Sequence, residues 1–234
     1  MFCNAEAFVR AVLLLATTLC LHLIWTPPYN AAANERVLVP TGHRLHRNVD
    51  AIMMFNLRVV PFPLLGRIFF WTVAIGESLQ NLTSLFGPPS GHHTALNIPL
   101  PVFTLLCIVV IIGCAIRHAS YRALGRLFTF ELAKRSQHKL VTTGPFAYVR
   151  HPAYAGWFIM LVGIAPLFLG WPLHVLPNVV GIPLLMYVYG MMGVISTSFA
   201  LRMEFEDRLL REQFGDEWER WRKQVPNKLV PYVI

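Results

Sequence analysis

Charge is scarce in this chain. Only 14% of its 234 residues are Asp, Glu, Lys or Arg, and just 12 of those are acidic, whereas an average soluble domain carries about 25% charged residues. With 55% hydrophobic residues beside them, this excludes an ordinary globular domain and points to a chain that lives in a bilayer. Cysteine is sparse as well. Cys3, Cys20, Cys107 and Cys114 form no CxxC pair and no other metal-ligand spacing, so no metal site is expected. Cys107 and Cys114 stand seven apart, on one face of a helix, where they read as small packing residues. The formal net charge of +8 suggests a nucleic-acid partner, yet the basic residues come in short clusters that flank apolar runs. Such clusters report membrane orientation, and no nucleic acid is expected.

What the chain does have is a series of apolar runs. The first covers roughly residues 8 to 25, with Trp25 as an interface anchor and Pro27-Pro28 as its end. A cleaved leader is the alternative for this run, but Arg10 is its only charge and no small-x-small site follows, so a retained helix is expected. His22 within it reads as a packed or interfacial histidine. A second run, 68 to 86, is interrupted by Glu77, Gln80 and Asn81, which marks a helix facing other helices or a re-entrant one. The sequon Asn81-Leu82-Thr83 inside it is out of reach of glycosylation. Gly87 to Gly91 form a loop by turn chemistry, and His92-His93 after it read as solvated. Residues 98 to 116 give the cleanest span. The segments 154 to 170 and 175 to 199 are expected to form an antiparallel hairpin joined by Trp171-Pro172-Leu173-His174. The last helix continues through Arg202, Glu204, Glu206, Asp207 and Arg208. An amphipathic tail follows, with Leu209, Leu210, Phe214, Trp218 and Trp221 expected on the membrane interface.

Lysine and arginine fill the regions 26 to 67, 117 to 152 and beyond 200, while 87 to 97 and 171 to 174 carry neither. Alternating spans put all three basic regions on one side, which the positive-inside rule makes cytosolic. The expected fold is therefore all-α: a polytopic membrane protein of about five transmembrane helices, with a C-terminal helical hairpin and a pocket at the cytosolic boundary. Residues 1–97 would hold the N-terminal helices and a basic loop, and residues 98–234 the functional core.

That core turns on residues 138 to 157, HKLVTTGPFAYVRHPAYAGW, a polar and aromatic cluster between two greasy segments. Gly144-Pro145 signals a turn, and Pro152 pushes His151 out of helical conformation, so Arg150 and His151 should sit on a short extended or turn segment before a helix starting near Ala153. The amides at that helix start favour an anion such as a small-molecule carboxylate.

The strip H-K-L-V at 138 to 141, T-G-P-F at 143 to 146, R-H-P-A-Y-A-G-W at 150 to 157 and R-M-E-F-E-D at 202 to 207 resemble the isoprenylcysteine carboxyl methyltransferase family. F-G-D-E-W at 214 to 218 and Val225-Pro226 complete the pattern, which covers about residues 120 to 234. The RHPxYxG core is shared with a wider group of membrane methyltransferases; the spaced arginine and glutamate tilt it toward the carboxyl-methylating branch. The resemblance implies S-adenosylmethionine as methyl donor, contacted by His138, Lys139, Leu140, Val141, Phe146, His151, Pro152, Ala153 and Tyr154. It implies that Glu206 binds the donor's amino-acid end and that Arg202 holds the substrate carboxylate, making these two the catalytic pair. Phe146 stands where the family often has tyrosine, and Glu131 is the nearest counterpart of an upstream glutamine. The implied acceptors are farnesyl- or geranylgeranyl-cysteine ends of proteins, and the implied place is the endoplasmic reticulum membrane, with the site facing the cytosol.

The chemistry suits these residues. A prenylcysteine carboxylate has a reference pKa of about 3.3 to 3.7 and needs no general base. Its attack on a sulfonium methyl group merges opposite charges, so a site with little water favours the reaction and alignment becomes the main task. Arg202 can orient a carboxylate bidentately, with Glu206 four residues on along the same helical face. The same spacing also suits an ordinary surface ion pair of about 0.3 to 0.5 kcal/mol. A phospholipid or other amine N-methyltransferase is the nearest rival; it would need a base, for which Glu204 or Asp207 is the candidate. A non-catalytic membrane scaffold or transporter is the rival of another class.

Overall fold

A computed structural model describes residues 2–26, 62–83, 98–125 and 139–231. Most of the 26–67 loop, His92, His93, Glu131 and His138 lie outside the described residues. Regular structure among the described residues is entirely helical: α1 (Phe2–Ile24), α2 (Phe62–Thr83), α3 (Leu100–Leu124), a short 3-10 turn (Gly144–Ala147), α4 (Pro152–Val175), α5 (Asn178–Phe214) and α6 (Asp216–Gln224). Four of these are long and apolar enough to cross a membrane: α1, α3, the first 18 residues of α4, and α5. α2 is as long as a span but is diluted by Arg67, Glu77, Gln80 and Asn81. The all-α, multi-pass class therefore holds.

Two helix boundaries differ from expectation for physical reasons. The connector expected at 171 to 174 is helical, and α4 runs through Pro166 and Pro172 to Val175. In an apolar helix a proline removes one donor without ending the run. The chain turns instead at Leu176-Pro177, where the Pro177 carbonyl accepts the amides of Val180 (2.8 Å) and Gly181 (2.9 Å). α5 has 37 residues, about 55 Å at 1.5 Å per residue, well beyond the roughly 30 Å of a hydrocarbon core. Its charged end from Arg202 onward is thus a continuation of a membrane helix, as the sequence suggests.

The chain divides into two compact units. The first comprises Met1–Trp25, Pro61–Cys114 and Phe158–Met192. Here α1 packs along α2, and Trp25 meets Phe70 edge to face at 5.6 Å, with Phe168 against the same ring at 4.8 Å. Gly163 lets α4 reach α3: a Cβ there would lie 2.6 Å from the Leu106 carbonyl oxygen, so only glycine permits this backbone approach. Arg10 is fixed by Glu6 (2.8 Å) and the Ile98 carbonyl (2.6 Å). His22 accepts the Trp71 indole N–H at 3.3 Å, the packed role expected of it. Cys107 and Cys114 are buried on one side of α3.

The second unit comprises Thr26–Val60, Ala115–Trp157 and Gly193–Ile234. Its apolar centre is Leu140, Phe146, Trp218, Trp221 and Val225, flanked by Leu210 and Phe214. Trp218 and Trp221 were expected on the membrane interface; they are only 3% and 5% exposed, because Leu140 and Phe146 cover them. Gly215, at φ +52°, ends α5 and lets α6 turn back, a left-handed conformation that suits glycine.

Candidate active site

The site begins with a turn. Gly144 takes φ +64°, and the amides of Tyr148 and Val149 bond back to the Pro145 carbonyl at 3.2 and 3.4 Å. The Trp221 indole N–H donates to the Phe146 carbonyl at 3.2 Å, which fastens this turn to α6. Arg150, at a bend, and His151 then lead into α4 and pair with the C-terminal segment: their amides donate to the carbonyls of Asn227 (3.0 Å) and Lys228 (2.9 Å). The Arg150 side chain reinforces this join, reaching the carbonyls of Val225 (3.3 Å) and Pro226 (2.8 Å) and the Asp207 carboxylate (3.2 Å). Val225-Pro226, noticed in the sequence only as a pattern, is thus the strap that Arg150 holds.

α4 starts at Pro152, one residue earlier than expected. The amides of Tyr154 and Ala155 bond to the His151 carbonyl at 3.1 and 3.0 Å, so these two helix-start donors are not open to an anion. The polar work falls on side chains instead. His151 Nε2 lies 3.1 Å from Asp207 Oδ1, and its Nδ1 lies 3.7 Å from Glu206 Oε2. The His151 ring stacks on Tyr154, which stacks in turn on Phe199 at 4.5 Å. The Tyr154 hydroxyl donates to Glu206 Oε1 at 2.6 Å, and Arg202 Nε stands 3.6 Å from the same oxygen. Arg202 is 6% exposed, so this i,i+4 pair is not the solvated surface pair its spacing also allowed.

The structure therefore brings His151, Tyr154, Arg202 and Glu206 together, with the carbonyl of Ala153 and the buried ring of Pro152 at their edge. Leu140, Val141 and Phe146 belong to the apolar centre against α6. Lys139 is exposed, and His138 lies outside the described residues.

Two residues escaped the sequence reading. Asp207 entered it only as a possible base, yet both of its oxygens are engaged, one by His151 and one by Arg150. Arg117 was counted in a basic loop, but it is 4% exposed at the end of α3. Its guanidinium donates to the Ala153 carbonyl (2.7 Å) and the Tyr121 hydroxyl, and lies 5.4 to 5.6 Å from the rings of Tyr121, Trp157 and Phe199. Aromatic faces and oriented oxygens can hold a cation away from water. The available signal was Tyr121 at i+4, an aromatic partner on the same helical face. Arg117 bonds the carbonyl of the residue before Tyr154 and lies 5.6 Å from the Phe199 ring that stacks on it, while Arg202 and the Tyr154 hydroxyl share Glu206 Oε1. Two cations and one carboxylate around a single hydroxyl make a place suited to an incoming anion.

Comparison with known proteins matches the same part of the chain. The family model for the isoprenylcysteine carboxyl methyltransferase (ICMT) family matches residues 105–213, which hold every residue of the cluster. A probable protein-S-isoprenylcysteine O-methyltransferase of Oryza sativa subsp. indica is 31% identical over 54% of this chain and 59% of its own length. The protein-S-isoprenylcysteine O-methyltransferase of Schizosaccharomyces pombe is 33% identical over 51% of this chain and 47% of its own. That of Homo sapiens is 28% identical over 73% and 54%. The matched part thus spans about half the length of these relatives.

Proposed function

We propose that the chain is a member of the isoprenylcysteine carboxyl methyltransferase family, whose model its residues 105–213 match, and that it moves the methyl group of S-adenosylmethionine to the C-terminal carboxylate of a prenylated cysteine. The observation that carries this reading is a buried guanidinium and a carboxylate one helical turn apart, with Arg202 and the Tyr154 hydroxyl both facing Glu206 Oε1. When bound, S-adenosylmethionine supplies an electrophilic methyl group on a cationic sulfonium. The residues suit its ammonium end: Glu206 Oε1 is taken by Tyr154, whereas Oε2 has His151 Nδ1 no nearer than 3.7 Å, which leaves it capacity for an N–H donor.

Arg202 then exchanges Glu206 for the acceptor carboxylate and holds it bidentately, with one lone pair left to react. Arg117 fixes the first turn of α4 through the Ala153 carbonyl and adds a second positive charge near Tyr154. Both reactants arrive in their ionised states, so these residues have only to orient them and exclude water. An amine acceptor would need a base, and the two candidates are committed elsewhere. Glu204 is 73% exposed and faces Lys228 at 3.5 Å; Asp207 is held by Arg150 and His151. That observation favours the carboxylate over the amine.

Farnesyl- or geranylgeranyl-cysteine ends of proteins are the proposed acceptors, residues 98–234 the catalytic part, and the cytosolic side of the endoplasmic reticulum membrane the place. The basic residues of the 117 to 152 region and of the tail beyond 200, which the two crossings by α4 and α5 return to one side, support that orientation. The test is methyl transfer from labelled S-adenosylmethionine by the protein in nanodiscs, with acetyl-farnesyl-cysteine and phosphatidylethanolamine as competing acceptors. Label should pass to the former, and Arg202→Ala should cut turnover by about a hundredfold or more with cofactor affinity nearly unchanged. Labelled phosphatidylethanolamine, or normal turnover in Arg202→Ala, would sink the assignment.

A further inference from the structure

Five cations of the second unit converge on one cavity of about 240 Å³: Arg150, Arg208, Arg211, Arg222 and Lys228. At 100° per residue, positions 204, 208 and 211 of α5 lie on roughly the opposite side of the helix from 202 and 206. The cavity therefore shares none of Arg202, Glu206 and Tyr154.

The charges here do not cancel. Arg150 is spent on Asp207 and two strap carbonyls. Arg211 pairs with Glu219 at 2.7 Å, and Arg222 reaches the same residue only at 3.9 Å. Lys228 stands 3.5 Å from Glu204, and no carboxylate pairs with Arg208 among the described residues. Five cations thus face three carboxylates, Glu204, Asp207 and Glu219, which leaves an excess of two positive charges. Arg222 is also pre-oriented, its guanidinium 5.5 Å over the Trp218 ring that lines the cavity.

We propose that this cavity binds a phosphomonoester dianion, carried either by a lipid headgroup or by a small soluble molecule. Such a group bears about −1.5 to −2 charges at neutral pH with three acceptor oxygens, which matches the excess. Arginine forks at 208 and 222 supply paired donors to those oxygens. The volume lies below the roughly 300 Å³ at which drug-sized pockets begin, so it suits a headgroup and not a nucleotide. A bound phosphate would bridge α5, α6 and the strap residue Lys228.

The test has two arms with the full chain. In nanodiscs of phosphatidylcholine, doping with phosphatidic acid should raise the melting temperature more than doping with phosphatidylglycerol at equal total charge; that result assigns the lipid source. In detergent, inorganic phosphate should titrate saturably by phosphorus NMR if the source is soluble. The double variant R208Q/R222Q should weaken whichever response is seen by about tenfold, with methyl transfer in pure phosphatidylcholine unchanged. If the double variant melts early in phosphatidylcholine, Arg208→Gln alone serves in its place. No response in either arm, equal effects of phosphatidic acid and phosphatidylglycerol without saturable phosphate binding, or a variant that responds like the parent would overturn the proposal.

Discussion

Replacing Glu206 with glutamine removes one charge and keeps almost all of the shape. The amide oxygen can still accept the Tyr154 hydroxyl, which now donates to Oε1 at 2.6 Å. What is lost is the attraction to Arg202 at 3.6 Å and, in the role proposed for Glu206, the charge that would face the donor's ammonium group. A hydrogen bond to a charged group is worth about 1.5 to 3 kcal/mol, and the Glu206 side chain is 23% exposed, so solvent screening favours the lower half of that range. Cofactor affinity should therefore fall roughly ten- to fortyfold. The acceptor should behave differently, since Arg202 no longer has to leave a carboxylate before taking one; its KM should hold or drop. Titration calorimetry of S-adenosylmethionine into the nanodisc-embedded protein, alongside acceptor KM at saturating donor, separates the two effects. Unchanged cofactor affinity with a raised acceptor KM would reverse the assignment of Glu206 and refute the division of labour along α5.

Two further outcomes follow from packing. Arg150→Met strips the buried Asp207 carboxylate and the carbonyls of Val225 and Pro226 of one donor group, a loss of about 3 to 5 kcal/mol for a broken buried pair; it should appear as a lower melting temperature and early proteolysis of the C-terminal segment. Gly163→Ala sets two effects against each other: alanine gains about 1 kcal/mol of helix propensity, but its Cβ would sit 2.6 Å from a backbone oxygen of α3, where overpacking costs about 1 to 3 kcal/mol, so a melt in detergent should show net destabilisation.

The sequence was legible where a local rule governed the outcome. Gly144-Pro145 did make a turn, Arg150 and His151 do form a short non-helical step before the helix that starts at Pro152, and the i,i+4 spacing did put Arg202 beside Glu206. Reading failed where the deciding partner lay far along the chain. Trp218 and Trp221 form a stripe that looks interfacial until Leu140 and Phe146, more than 70 residues earlier, close over it. Arg117 looks like a solvated loop charge until Ala153, Trp157 and Phe199 enclose it. Pro172 looks like a break, because a turn and an apolar helix treat a missing donor differently and composition alone does not say which surrounds it.

The clustered charges of α5 also explain why the strap matters to the chemistry. Asp207 and Glu206 are adjacent on one helix and both face His151, so whatever fixes Asp207 limits where His151 can stand, and with it the ring of Tyr154 stacked on it. Asp207 is fixed by Arg150, and Arg150 by the carbonyls of Val225 and Pro226. The position of the hydroxyl that meets Glu206 is therefore linked to a backbone segment 71 or more residues downstream, through polar contacts in which Asp207 is shared by Arg150 and His151, and His151 by Asp207 and Glu206. A change that loosens the strap should then act on alignment before it acts on cofactor binding, since Glu206 stays anchored on α5 while Tyr154 drifts away from it.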